Sequence, residues 1–283
     1  MSKKIRPAVF ARLGWYPASR SECERMIKEW SRNGVKIKSE EIKGVGGIVP
    51  HAGWFFSGEI ACTVFRCISE IIEPETVVIF GKHLTVGSRK SIMLEGYWET
   101  PFGEIEIDSE LAQKIAEGQD FLIESSTYFE EDNTIELQLP FVKYFFPSAK
   151  LVPIGAPPTE EMLYIAREIA HLCKDKRVIA IGSTDLTHYG PNYGFIPAGI
   201  GASALQWSKQ NDKRVIDRML KLDPEGVIEE AFENHNACCP GAAASAICMA
   251  KELGAVKGEM LMYATSYEKS PGSSFVGYVG VVF

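Results

Sequence analysis

The chain has 283 residues, 46% of them hydrophobic and 24% charged, with a formal net charge of -7. That length and apolar content can bury a large core, and the acidic balance gives no electrostatic reason to expect nucleic acid or an anionic membrane as partner. No uncharged apolar run approaches the roughly 20 residues that span a bilayer, so no membrane segment is expected.

The basic start, Met1 to Pro7, is followed by Arg12 before any signal-peptide core can form. Seven cysteines, an odd number in a chain large enough not to need staples, point to reduced thiols and a cytoplasmic setting. With no repeat, low-complexity tract or linker, one domain over residues 1–283 is the expectation.

Gly14-Trp15-Tyr16-Pro17 places bulky aromatics near the terminus, as a plug packing the chain onto its body or as one wall of a ligand site. Ser19 to Trp30 has the spacing of an amphipathic helix, opened by a Ser-x-x-Glu box at Ser21 and Glu24. Gly47 to Gly53 is a buried strand that stops on His51: Pro50 cannot continue a central ladder, and Gly53 permits a sharp turn. A helix over Gly58–Ile72 follows, so His51 sits on the loop at the carboxyl end of a strand, where open parallel sheets bind ligands.

Thr76 to Phe80 is a short β-branched run, the signature of a strand covered on both faces, and it ends in Gly81-Lys82-His83. Residues 90–107 read as an extended, hairpin-like excursion, and Asp108 or Ser109 caps a helix reaching about Gly118. Asn133 to Pro140 begins another helix with Glu136 in its first turn, a place the helix dipole favours for a carboxylate. Lys150–Gly155 is a strand and Thr159–Cys173 a helix, with His171 in its last turn as a structural residue.

Arg177 to Ser183 is the clearest strand and runs directly into Thr184-Asp185-Leu186-Thr187-His188, so a third strand ends near a histidine. Helices are predicted over 202–221 and 224–233. Pro240 suits a first helical turn, which puts Cys239 at or beside the N-cap of a helix continuing over Ala242–Leu253; such a position stabilises a thiolate. Cys238 and Cys239 are not expected to bridge, because a trans peptide holds neighbouring Cα atoms about 3.8 Å apart and a disulfide prefers about 5.5 Å. Strands over Glu259–Ala264 and Phe275–Phe283 close the chain. Strands interleaved with helices predict an α/β fold: a central mostly parallel or mixed sheet flanked by helices.

His51, His83, His188, Asp185 and a cysteine at a helix N-terminus form a candidate metal or nucleophile site. Two imidazoles and one anionic ligand are the minimal plan of a catalytic metal centre, with Asp185 or Lys82 orienting an imidazole or holding a substrate anion. No His-x-x-x-His or Cys-x-x-Cys supports it; the signal is positional. In the bland alternative the histidines satisfy loop backbone groups and the cysteines fill the core, while His235 fits either a ligand shell or a turn.

These motifs, together with Thr134-Ile135-Glu136-Leu137-Gln138-Leu139-Pro140 and His235-Asn236-Ala237-Cys238-Cys239, give the chain a specific resemblance to the Memo family, also called AmmeMemoRadiSam system protein B. The family is similar in fold to class III extradiol (LigB-type) non-haem iron dioxygenases. By that resemblance His51 and His83 match two metal-ligating histidines, and Cys239, four residues after His235, matches the cysteine replacing the dioxygenases' carboxylate. Asp185 and His188 match polar residues lining the cleft.

Two departures stand out: Gly81-Lys82-His83 is one residue shorter than the family's Gly-Pro-(Ser/Asn)-His and puts a lysine beside the metal. Asn133 and Gln138 occupy positions where relatives commonly or often carry histidine. The resemblance implies a redox enzyme using iron, or alternatively copper or zinc, with His188 and Asp185 in catalytic roles. It competes with a binding module that holds a small-molecule, anionic or peptide ligand and works with AMMECR1-like and radical SAM proteins. A metal-free hydrolase using Cys239, His188 and Asp185 is the third reading.

Overall fold

The computed structural model describes residues 3–283. In chain order the elements begin with β1 (Ile5–Arg6), α1 (Val9–Arg12), α2 (Arg20–Trp30), β2 (Gly46–Val49), α3 (Trp54–Ser69) and β3 (Thr76–Gly81). The excursion predicted over 90–107 contributes β4 (Ser91–Met93), β5 (Tyr97–Trp98) and β6 (Ile105–Glu106), followed by α4 (Ser109–Ala116) and β7 (Leu122–Glu124). Then come α5 (Asn133–Glu136), α6 (Leu139–Phe145), β8 (Lys150–Gly155), α7 (Glu160–Leu172) and β9 (Val178–Ser183). The last third holds β10 (His188–Tyr189), α8 (Ala202–Leu220), α9 (Pro224–Asn234), α10 (Pro240–Glu252), β11 (Glu259–Thr265) and β12 (Phe275–Val282).

Nine strands form one mixed sheet in the order β10-β12-β2-β9-β3-β8-β4-β7, with β11 paired to β12. Its centre, β2-β9-β3-β8, is parallel, and antiparallel pairings flank it on both sides. The central strands are the β-branched runs, buried on both faces, as a parallel sheet requires. Period-2 alternation explains how both faces are covered. On β2, Gly47 faces Val64 of α3; Ile48, its neighbour, pairs in register with Gly182 of β9, which lies against α10. Thus α3 covers one face and α10, packed on α7, the other.

The extended excursion divides between sheets: β4 joins the large one, while β5 and β6 pair with each other and with β1. Helix α2 starts earlier than the Ser21/Glu24 box implies. Ser19 is the N-cap, its hydroxyl accepting from the Glu22 backbone N–H at 3.3 Å. Ser19 and Glu22 have the same Ser-x-x-Glu spacing two residues upstream, and the extended backbone at Ser19 selects it. Asp108 caps α4 as expected, accepting from Leu111 at 3.1 Å. No helix among the described residues is long and apolar enough to cross a membrane.

Candidate metal centre

Strand order assembles the site. Because β9 lies between β2 and β3, the carboxyl ends of three neighbouring strands carry His51, His83 and the Asp185–His188 segment to one edge. The ligand atoms of His51, His83, Cys238 and Cys239 lie within 4.8 Å of one another. That donor set, imidazole nitrogen and thiolate sulfur, suits a borderline transition metal.

His51 is buried, and its ring is oriented by the end of β9. Ser183 Oγ donates to the Thr134 carbonyl at 2.7 Å, so it accepts from His51 Nδ1 at 3.0 Å. This assignment leaves Nε2, 3.3 Å from Cys238 Sγ, turned to the sulfurs. The loop backbone is pinned as firmly: His51 N–H donates to Asp185 Oδ1 at 2.7 Å, and its carbonyl accepts from Asn133 Nδ2 at 2.9 Å. Gln138 Nε2 holds the Pro50 carbonyl at 2.9 Å. Asn133 and Gln138 are therefore amides that fix the His51 loop. Burial lowers the His51 pKa, but Asp185 and Cys238 outweigh it and the net shift is upward.

His83 is the exposed member, its ring 4.9 Å from that of His51 and nearly perpendicular to it. Its Nδ1 lies 3.6 Å from Asp132 Oδ2. Partial burial opposes its protonation, but Asp132 and Cys238 prevail and push its pKa up to about 10. Lys82 does not sit beside the donors as the shortened motif implied. Its backbone takes φ 69°, a left-handed conformation costing a non-glycine residue about 1–2 kcal/mol. Its buried ammonium binds Glu124 Oε1 at 2.6 Å and is not available to a ligand anion in the cleft.

Cys239 is the N-cap of α10, with Pro240 in the first turn, as the sequence predicted. Its N–H donates to Thr184 Oγ1 at 3.1 Å, and its sulfur is 3.7 Å from that of Cys238. The two thiols remain free, like every other cysteine. Burial would raise both thiols, yet the hydrogen bond from Cys239 and the charge of His51 draw Cys238 well below its ordinary value, and Cys239 is pushed up in response. Sequence reasoning chose Cys239 alone; Cys238 and Asp132 joined the site only in three dimensions. An acidic residue just before Asn133 was the available, weak signal for Asp132.

The main cleft, about 1040 Å³, is lined by His51, His83, Asp185, His188, Trp15 and the Phe55–Phe56 pair, among others. Of the terminal aromatics, Tyr16 is buried as a plug with its hydroxyl 3.1 Å from Glu136, and both it and Trp15 line the cleft. His188 begins strand β10 and lies outside the donor cluster; its Nδ1 donates to the Leu186 carbonyl at 3.0 Å, leaving Nε2 free. His235 is a turn residue, the left-handed C-cap of α9, and lines a smaller cavity of about 460 Å³ together with His188 and Cys238. His171 stays in the last turn of α7.

Among solved structures, an uncharacterized protein of Escherichia coli K12 shares the fold, with a TM-score of 0.52 over 83% of this chain and 98% of that chain at 9% identity. A MEMO1 family protein of Thermococcus onnurineus is 36% identical over 95% of this chain and 96% of its own length. One from Pyrococcus furiosus is 35% identical over 98% of each chain. The sequence model for the Memo-like protein family matches residues 6–282, and with relatives of this similarity over nearly the whole length, the chain belongs to the Memo family.

Proposed function

We propose that this protein binds one transition-metal ion through His51, His83 and Cys239, with Cys238 as an additional sulfur donor, and acts as a metal-dependent, dioxygenase-like redox enzyme. The observation that carries the reading is the convergence of four nitrogen and sulfur donors within 4.8 Å beside a cleft of about 1040 Å³. Iron is the first candidate, with copper or zinc as alternatives, since thiolate softens the donor set. A bound ferrous ion would supply one-electron chemistry and Lewis acidity toward a chelating substrate. Within the cleft, His188 Nε2 is the group free to hold or pass a proton, and Asp185 keeps the His51 loop in place. The aromatic lining of Trp15, Phe55 and Phe56 favours a flat apolar substrate.

The four-donor set also favours a second reading. Four protein ligands complete a tetrahedral shell, the pattern of a structural site, and would leave a binding module that works with AMMECR1-like and radical SAM partners. Seven free thiols fit a cytoplasmic setting in either case.

Metal analysis of protein purified anaerobically is expected to give about one ion per chain, lost in His51→Ala and Cys239→Ser. No retained metal would end both readings. Oxygen uptake with catechols and other enediols then separates them, and its absence across a broad panel would leave the binding module.

A further inference from the structure

His83 is held loosely by its own side chain: it is exposed, with Asp132 Oδ2 at 3.6 Å from Nδ1. Its direction must come from the backbone before it, and that backbone is unusual. Lys82 adopts φ 69° without being glycine, so something outside the loop holds it there. The lysine stem crosses Gly155 of β8, where any Cβ would lie 2.8 Å from Lys82 Cδ. The ammonium ends on Glu124 Oε1, whose other oxygen, Oε2, binds Arg6 Nη1 at 2.9 Å. All three side chains are nearly fully buried.

The arrangement closes on itself. The Arg6 guanidinium lies 3.7 Å from the Trp98 ring centroid and 4.3 Å from that of Phe129, and it also donates to the Glu130 carbonyl at 2.9 Å. From the other side, Lys82 N–H donates to Thr134 Oγ1 at 2.6 Å, and Thr134 Oγ1 in turn donates to Asp132, the carboxylate facing His83. Buried ion pairs are poor sources of stability, because desolvation offsets their attraction, but they define geometry well.

We propose that the Arg6–Glu124–Lys82 ion-pair chain is a positioning device, holding Lys82 in its left-handed conformation so that His83 meets His51 and the sulfurs. The device links the chain's first strand to the site. It rests on the metal-site reading for its meaning, but its geometry is testable without metal.

The test uses the full-length chain and the variants Glu124→Gln and Lys82→Met. In metal-free protein the ring protons of His51 and His83 are expected to show a nuclear Overhauser contact that both variants weaken. Cobalt(II) affinity, followed through sulfur-to-cobalt absorption, is expected to fall on the order of 10-fold, the usual cost of losing a residue that orients a ligand. Lys82→Met leaves Glu124 paired to Arg6, so it reads the proposal even if Glu124→Gln does not fold. Replacing Lys82 by glycine in the Glu124→Gln background is expected to restore the contact, because glycine takes the left-handed conformation unaided. Asp108→Asn, a buried carboxylate at the opposite edge of the sheet, controls for stability alone. The proposal is overturned if the ring contact and cobalt affinity survive in Lys82→Met, or fall no further than in Asp108→Asn at equal loss of Tm. Failure of the wild-type chain to bind cobalt while its ring contact depends on Lys82 would instead remove the metal-site reading and leave the positioning role standing.

Discussion

Asp212 shows how a single buried carboxylate couples the site edge to pH. It is fully buried, accepts from Thr187 N–H at 2.9 Å and from the Tyr263 hydroxyl at 2.7 Å, and so steadies the turn that leads into His188. Burial outweighs these bonds and pushes its pKa from 3.8 up to about 6. The folded state therefore keeps a proton that the unfolded chain releases. Asp212 contributes its full stability below pH 4 and loses it as pH rises through 6, about 3 kcal/mol in all. Urea unfolding from pH 4 to 7 is expected to show the wild type losing stability relative to Asp212→Asn over that window. Parallel curves would refute the assignment. At the same scale, the sequence points to His51, His83 and Cys239 because each follows an apolar run or opens a helix. It could not say that Lys82 turns away, because a side chain's partner 42 residues distant leaves no local trace.

Among the elements, α10 controls the sulfurs. Its first turns lie directly on the backbone of β9, and a Cβ on Gly182 would come within 2.8 Å of the Ala242 carbonyl oxygen and 2.9 Å of Ala243 Cα. Backbone atoms cannot swing aside as a long side chain can, so the helix itself must shift. Gly182→Ala is expected to cost about 1–3 kcal/mol by overpacking. Since Cys239 is the N-cap of that helix, the shift also separates the thiols from the imidazoles. Cobalt(II) titration is expected to show weaker binding than the stability loss alone explains. An unchanged affinity would mean that the sulfurs are placed independently of the helix–sheet contact. The helix was legible from Pro240 and the alanine run, whereas its close approach to β9 was not, since Gly182 reads as one more small residue in a strand.

On the scale of the molecule, the start of the chain is folded over the site by Glu136. The helix dipole offered a local reason for a carboxylate there, yet its main task is distant. It accepts from Val9 N–H at 3.1 Å, Phe10 N–H at 2.6 Å and the Tyr16 hydroxyl at 3.1 Å. Burial is the main cause of its raised pKa. Glu136→Ala would leave these donors without a partner, at about 1–3 kcal/mol for each that stays buried. The expected result is a lower Tm and faster chymotryptic cleavage at Phe10, Leu13 or Trp15. A cleavage rate equal to that of the wild type would show that aromatic packing alone holds the segment.

By itself the sequence determined the α/β class, the longer strands and helices, and the carboxyl edge on which the chemistry gathers, because apolar period and caps are local properties of a chain; the short β1, α1, β7 and β10 carry too few residues to show a period. Only the tertiary structure decided that β9 runs between β2 and β3, that both cysteines face the histidines, and that Lys82 belongs to Glu124 rather than to the cleft. Those facts depend on which distant surfaces bury one another, and burial energy has no signature in the spacing of neighbours.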